Sequence, residues 1–343
     1  MKFRKLAVLS MLALAAAGTM FAAPKAKKEK KAKKTKQAKV KMITVGYAQV
    51  GAESDWRLAN TQSFKDTFTA ANGYTLIFDD AQQKQENQIK AIRNFIQQDV
   101  DYIVVAPIVE TGWDTVLQEA KKAGIPVILS DRMIKTSDQS LYTAWVGGNF
   151  LQEGRDGVKW LDAYLKEIGR EDDDINIVDL QGTIGASAQI GRTQGIEEGI
   201  KARSNWHLVA QQTGEFTQAK GQEVMESILK STSDIDVVFA ENDNMAWGAI
   251  DAIKAAGYVP GEDIIIICFD AVKETFNRII KTGEINCAVE CNPLHGPRVA
   301  SIIQGLRMGD VPAKVQYVNE LVFDRDGIGN ALKAADMLPT RKY

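Results

Sequence analysis

Residues 264–270, with the sequence IIIICFD, decide the fold because an unbroken apolar run ends there at a single carboxylate. A short apolar run without alternation predicts a strand that is buried on both faces, as in a parallel sheet. Other strand-like runs also lead to polar residues: 42–48 toward 53–57, 125–130 to Asp131 and Arg132, and 237–240 to Asn242 and Asp243. In open α/β sheets ligands bind beyond the carboxyl ends of the strands, so we expect these polar residues to converge on one site.

Strand-like and helix-like stretches alternate from Met42 onward, the pattern of an α/β protein whose parallel sheets are covered on both faces. In 85–98, for example, Ile89, Ile92 and Phe95 recur at helical spacing, and the strand-like run 102–106 follows. The same pattern predicts further helices over 56–70, 113–123, 150–168, 192–202, 220–230 and 245–256. Because 343 residues exceed one typical domain of roughly 100 to 200 residues, we expect two similar Rossmann-like lobes joined at a cleft.

The first 41 residues read as segments outside the folded body. Residues 1–23 have a basic start and an apolar run too short to span a bilayer comfortably, which predicts a signal peptide. Residues 24–41 contain ten Lys and one Glu, a composition that predicts a flexible tether, either a solvated spacer or an attachment to an anionic envelope surface. No later stretch offers about 18 consecutive apolar residues, so we expect an exported, soluble protein in the periplasm or another extracytoplasmic space.

Charge and cysteine content limit the classes of partner. Beyond residue 41 the chain has 29 basic and 43 acidic residues, which disfavours nucleic acid as a partner. Three cysteines, Cys268, Cys287 and Cys291, match no zinc spacing, so we expect ordinary buried thiols and neither a metal nor a cofactor.

The polar residues at the strand ends fit the chemistry of a sugar. Sugar hydroxyls both donate and accept, and the C-H faces of the ring are apolar, so a sugar site needs carboxylates, Arg donors and an aromatic wall. Arg57, Arg132 and Arg192 supply donors, and Trp56 supplies a wall. The acceptors are Asp131, Asp270 and one of Glu53 or Glu290, which would also balance the charge of a closed cleft.

Each of these residues also has an interpretation without a ligand. Asp131 and Arg132 also fit a structural ion pair, Asp270 fits a helix cap, and Trp56 fits a core position. The chain lacks a G-x-S-x-G elbow, a P-loop and a G-x-G-x-x-G after the first strand, so nothing marks an enzyme. A secreted glycosidase stays open on composition, because Asp and Glu are abundant.

Several motifs resemble one family. They are VGYAQVG at 45–51 with ESDWR at 53–57, QQKQENQIKA at 82–91, LQGTIGAS at 180–187 and KGQEVMES at 220–227. With these motifs the chain resembles the type I periplasmic sugar-binding proteins of ABC transporters, the family that includes ribose binders, and among them most resembles the bacterial galactofuranose binders. The resemblance covers nearly everything from Met42 onward.

The resemblance implies two lobes, a hinge of three crossing segments and closure around one sugar. Carried over by motif, the ligand contacts would be Glu53, Ser54, Asp55, Trp56, Arg57, Asp131, Arg132, Arg192, Asn242 and Asp270. The broader ribose-binding pattern adds Phe216 and Glu290. Asp55 and Gly191 stand where galactofuranose binders have Gly and Asp, so these two positions are expected to alter the sugar preference.

Two lobes with these crossings imply a division of the chain into 42–146 plus 291–314 and 147–290 plus 315–343. The leading hypothesis is a monomeric receptor that captures a monosaccharide similar to galactofuranose and delivers it to an ABC permease. A sensor for a chemoreceptor or histidine kinase would have the same pocket and is the first alternative. A secreted carbohydrate-active enzyme is the second.

Overall fold

The computed structural model describes residues 42–232 and 234–343. The predicted signal peptide and tether lie outside these residues. Among the residues that the structure describes, no helix is long and apolar enough to cross a membrane.

The described chain forms thirteen strands. They are β1 (Ile43–Gln49), β2 (Tyr74–Asp80), β3 (Tyr102–Val105), β4 (Val127–Ser130), β5 (Ala144–Gly147), β6 (Ile175–Gln181), β7 (Trp206–Thr213), β8 (Val237–Ala240), β9 (Ile265–Asp270), β10 (Cys287–Glu290), β11 (Val315–Tyr317), β12 (Val322–Asp324) and β13 (Leu332–Lys333). The run at 264–270 becomes β9, and all six of its residues are buried, as its composition predicts.

Ten α-helices accompany the strands in the same part of the chain. They are α1 (Asp55–Thr67), α2 (Gln85–Gln97), α3 (Asp114–Lys122), α4 (Phe150–Glu167), α5 (Ser187–Lys201), α6 (Gln218–Ser231), α7 (Asp243–Ala255), α8 (Lys273–Asn277), α9 (Gly296–Met308) and α10 (Ala334–Met337). Helix α1 begins where the Ser54 hydroxyl accepts from the Arg57 amide, and α7 begins where the Asn242 side chain accepts from the Met245 amide.

The strands form two sheets, which confirms the expected α/β class. The first sheet has the order β11-β5-β4-β3-β1-β2, and all its pairings are parallel. The second has the order β13-β12-β10-β9-β8-β6-β7 and is parallel except for the antiparallel pair of β10 and β12. Helices cover both faces of each sheet: α1 and α9 lie opposite α2 and α3, and α4 and α5 lie opposite α6 and α7.

The chain crosses between the two sheets three times, as the resemblance implies. The crossing segments are 148–149, 291–295 and 318–321, between the strands and helices that belong to different sheets. The third crossing falls later than the predicted boundary at 314, because β11 pairs with β5 of the first sheet. The residues at the carboxyl ends of the strands therefore face one another across a cleft beside these crossings.

Candidate functional site

A small cavity, with a volume of about 20 Å³ in this conformation, lies in the cleft between the two sheets. Its lining consists of Glu53, Ser54, Trp56, Arg57, Asp131, Arg132, Ala188, Arg192, Phe216, Asn242, Asp270 and Cys291. The structure thus brings together all the predicted site residues except Asp55 and Glu290. This volume is well below the 300 to 1,000 Å³ typical of ligand sites, so the site is identified by its lining residues and not by its size.

A larger cavity of about 310 Å³ lies on the second lobe, next to Trp160 and Arg325. Its lining includes Gly261 and Asn286, which precede β9 and β10, so it opens at the amino ends of these strands. Ligands of open α/β sheets bind at the carboxyl ends, and we therefore assign the site to the cleft.

In the first lobe, two Arg side chains share two carboxylates. The Glu53 Oε1 atom accepts from Arg57 Nε at 3.2 Å and from Arg132 Nη2 at 2.5 Å. The Arg57 Nη2 atom also donates to Asp131 Oδ2 at 2.5 Å. All four side chains are buried, at 2 to 4% exposure. Burial alone would raise the pKa of Asp131, but Arg57 and Arg132 hold it below its usual value, so this acceptor stays ionised.

In the second lobe, Arg192 is the central donor. Its Nε donates to Glu153 Oε2 at 2.8 Å, its Nη2 to Asp270 Oδ1 at 3.4 Å, and its Nη1 to the backbone oxygen of Glu241. Burial raises the pKa of Asp270 although Arg192 opposes that shift. The long Arg192 contact leaves Asp270 free to bond a ligand hydroxyl in the cavity.

Three lining residues have a backbone conformation that few non-glycine residues adopt. The φ angles of Asp131, Phe216 and Asp270 are 65°, 61° and 98°, in the left-handed region. Each follows or ends a strand, and the positive φ turns its side chain into the cavity. Such strain is concentrated at ligand sites in proteins, so it supports a binding role for these positions.

Two aromatic rings close the cavity. Phe216 from the second lobe lies with its ring centroid 4.9 Å from Arg132 Cζ of the first lobe. Trp56 packs against Arg57 at 4.7 Å, and its Nε1 donates to the backbone oxygen of Cys291 at 2.6 Å. Trp56 is therefore both buried and a cavity wall, so the core and site interpretations hold together.

Asp55 does not line the cavity, and its role as a sugar contact stays a prediction. It is the first residue of α1, and helical geometry turns its side chain to the surface while Ser54, Trp56 and Arg57 face inward. Its amide donates to Asn244 Oδ1 at 3.0 Å, and Asn244 Nδ2 donates to Asp55 Oδ2 at 2.7 Å. We call this pair of cross-lobe hydrogen bonds the clasp.

Further contacts between the lobes accompany the clasp. The Met133 amide donates to Ser187 Oγ at 2.8 Å, and the Glu110 amide donates to the backbone oxygen of Gly185 at 2.9 Å. These contacts join loops of the two lobes at the cleft, so the structure represents the closed conformation.

Glu290 also lies outside the cavity, and its role as a sugar contact likewise stays a prediction. It is the last residue of β10, and its carboxylate accepts from Arg341 at 2.5 Å, Tyr343 at 2.6 Å and the Leu321 amide at 3.1 Å. It fixes the carboxyl-terminal tail. The next residue, Cys291, takes the position in the cavity.

Sequence reasoning missed two lining residues, Ala188 and Cys291. Cys291 follows a strand directly, so the strand-end rule that selected the other residues identifies it as well. Ala188 is small and has no polar signal. Gly191 also lies outside the cavity. It is at the contact between α5 and α4, where a Cβ would come within 2.7 Å of Phe150 Cβ. Neither Asp55 nor Gly191 lines the cavity, and their expected effect on the sugar preference stays a prediction.

Several buried groups have pKa values far from their usual range. Burial raises the pKa of Asp179 to about 7, of Asp243 to about 6 and of Glu320 to about 10, and we call these three the raised carboxyls. Burial lowers the pKa of His295 to about 4, so this residue is neutral. The three cysteines are buried and unpaired, as expected, and burial raises their pKa values.

One cluster of the described residues has the spacing of a metal site. Atoms of Glu153, Cys291 and Glu320 lie within 4.8 Å of one another. Glu153 is already paired with the Arg192 guanidinium, and Glu320 accepts from two backbone amides. We assign no metal to this cluster.

Two α/β lobes that close on a polar cavity beside three crossings define the class of bilobal solute receptors. A family model described as "Periplasmic binding protein domain" matches residues 45–295. The chain belongs to this family.

The chain is 43% identical over 285 residues to the galactofuranose-binding protein YtfQ of Escherichia coli, covering 82% of this chain and 87% of that protein. A crystal structure from Mycobacterium smegmatis in complex with β-D-fucofuranose is 45% identical, with a TM-score of 0.82 over 88% of this chain and 95% of the other. The binding component of the arabinose ABC transporter of Shewanella sp. ANA-3, bound to α- and β-L-arabinofuranose, is 42% identical, with a TM-score of 0.80 over 87% and 95%.

Proposed function

We propose that this chain is an exported receptor that captures one neutral sugar in the furanose form and delivers it to an ABC permease. The observation that carries the proposal is the closed polar cavity, with donors and acceptors from both lobes and two aromatic walls. A bound sugar can bond residues of both lobes, so it stabilises closure. Closure is the signal that such a receptor presents to its partner.

The charges of the cavity support a neutral ligand. Each of Arg57, Arg132 and Arg192 already has at least one carboxylate partner within the network. An anionic ligand would have to compete with these carboxylates in a buried space, which is costly. A sugar hydroxyl needs no such exchange, because it donates to a carboxylate and accepts from a guanidinium.

The ring form and the partner are supported by the relatives. The proteins compared above are described with galactofuranose, fucofuranose or arabinofuranose, and one of them is a component of an ABC transporter. The ligands named for these three relatives share the furanose form. We therefore favour import over the sensor alternative.

A thermal-shift panel tests the proposal. The purified protein is heated with L-arabinose, D-galactose, D-glucose and D-galacturonate. A ligand at about 100 times its dissociation constant adds roughly 2.7 kcal/mol, which shifts the midpoint by several degrees. L-arabinose or D-galactose should shift the midpoint, whereas D-galacturonate, the anionic match of D-galactose, should not. A shift with D-galacturonate alone contradicts the neutral-ligand proposal, and release of sugar from furanosides supports the enzyme alternative instead.

A further inference from the structure

Glu320 lies where the three crossing segments meet. The Asn149 amide of the first crossing donates to Glu320 Oε2 at 3.3 Å, and the Asn292 amide of the second donates to Glu320 Oε1 at 3.2 Å. Glu320 itself belongs to the third crossing, between β11 and β12. The Glu320 carboxyl group therefore contacts the other two crossing segments of the hinge from its own position in the third.

Glu320 is also linked to the cavity, through Glu153. Its carboxyl lies beside the carboxyl of Glu153 on α4, with oxygen atoms of the two groups within 4.8 Å of each other. Glu153 Oε2 accepts from Arg192 Nε, and Arg192 lines the cavity. The Glu153 carboxyl thus lies between the hinge and a donor that faces the cavity.

Two carboxyl groups can be hydrogen-bonded only if one of them carries a proton. Glu153 is buried, and its Oε1 atom has no hydrogen-bond partner among the described residues, so it is free to accept a proton from a neutral Glu320. Burial raises the pKa of Glu153, but its ion pair with Arg192 favours the ionised form, and Glu320 has no such ion pair among the described residues. The Cys291 thiol is the further titratable group beside Glu320, and burial keeps it neutral. The proton therefore belongs on Glu320.

We propose that Glu320 is a positioning residue that acts as a neutral acid: it donates its proton to Glu153 and thereby holds Arg192 in its ligand-binding geometry while it joins the three crossing segments. The inference rests on the proposed function, since Arg192 matters only if a ligand enters the cleft. Burial and the neighbouring Glu153 support it, because they raise the pKa of Glu320 to about 10. Hinge closure and orientation of the donor then depend on the same proton.

The experiment compares Glu320→Gln with Glu320→Ala, using L-arabinose and D-galactose as probes. Gln keeps an N-H donor toward Glu153 and loses about one neutral backbone hydrogen bond, so affinity should stay within about fivefold of wild type. Ala removes the donor, so Glu153 no longer has a partner that holds it against Arg192, and affinity should fall by more than about tenfold. The exposed variant Glu119→Gln is the control and should bind like wild type.

The pH profile separates positioning from a merely structural role. Wild-type affinity should be flat from pH 6 to 8.5 and weaken above about pH 9, while Glu320→Gln should stay flat over the whole range. A folded Glu320→Ala protein with wild-type affinity, or a Glu320→Gln protein as weak as Glu320→Ala, would overturn the proposal.

A readout without sugar tests the proton directly. The ligand-free protein at pH 7 should show an infrared carbonyl band of a protonated carboxyl group that is absent in Glu320→Gln. If no probe binds the wild type but the band is present and lost on substitution, the proposed function fails and the protonation holds. If a probe binds and the band is unchanged by the substitution, the protonation of Glu320 is wrong.

Discussion

Replacing Asp131 with Asn removes one charge from the cavity with almost no change of shape. Asn tolerates a positive φ better than most residues, so the φ of 65° at this position adds no penalty. The variant loses the charge-assisted contact of 2.5 Å with Arg57 and one ionised acceptor for the ligand. Any effect therefore reports the carboxylate itself.

The magnitude follows from the remaining partners. Removing one member of a buried ion pair costs about 3 to 5 kcal/mol when the other is left unpaired. Here Glu53 still accepts from Arg57 at 3.1 and 3.2 Å, so we expect the free energy of unfolding to fall by about 1.5 to 3 kcal/mol, the value of one hydrogen bond to a charged group. Losing the acceptor should weaken sugar binding about tenfold to a hundredfold.

The assay combines urea unfolding with calorimetric titration of the sugar found by the thermal-shift panel. Glu119→Gln is the matched control, because its pair with Arg93 has the same chemistry at 2.9 Å but is 38 to 48% exposed. It should change the unfolding free energy by less than about 0.5 kcal/mol and leave affinity unchanged. A folded Asp131→Asn protein with wild-type affinity would refute the assignment of Asp131 to the ligand.

Three further predictions concern the clasp, the helix contact and the pH dependence. Asn244→Ala removes both hydrogen bonds of the clasp and should weaken affinity about tenfold through faster dissociation, measured by stopped flow; an unchanged dissociation rate would contradict its role in closure. Gly195→Ala should lower stability by about 1 to 3 kcal/mol because its Cβ would meet Leu151 O at 2.6 Å. Gly305→Ala is the matched control, since its Cβ meets only a side chain at 3.3 Å, and it should be neutral or stabilising by up to about 1 kcal/mol in urea unfolding. Because the raised carboxyls keep protons in the folded state that they lose on unfolding, the free energy of unfolding should fall by about 1 to 3 kcal/mol between pH 7 and 9; a stability that rises over this range would show that these groups are ionised.

The pH prediction has an opposing contribution on the acid side. Neutral His295 has a lowered pKa of about 4, so it makes stability rise with pH from about 4 to 6.5. Over the same interval the raised carboxyls make stability fall, and above pH 6.5 they act without opposition from His295. The window from pH 7 to 9 therefore gives the cleaner test.

Local patterns were sufficient to predict most strands and helices. The strand 237–240 was predicted with its observed bounds, and α2 ends within one residue of its prediction. Helix α5 begins at Ser187, five residues before its predicted start, because Ala186 offers no side-chain cap and the preceding glycines read as a loop. The part of the chain after residue 270, with α9 and β11, was not resolved into elements, since its short strands give a weak period.

The candidate site was predictable wherever a polar residue follows a strand. Asp131, Arg132 and Asp270 were found in this way, and the same rule applied after β10 would have replaced Glu290 with Cys291. The clasp was not predictable, since Asp55 and Asn244 are 189 residues apart and meet only when the lobes close. The position of Glu320 at the hinge depends likewise on three crossings that only the folded chain brings together.

The measurement that tests the central claim most directly is the ¹³C NMR spectrum of the purified protein with L-arabinose labelled at its anomeric carbon. Because only the competent form binds, a furanose receptor selects that ring form from the mixture in solution. The account predicts a bound resonance at the furanose position that disappears in the Asp131→Asn variant at the same sugar concentration. A bound resonance at the pyranose position, or a furanose signal that persists unchanged in that variant, would contradict the account.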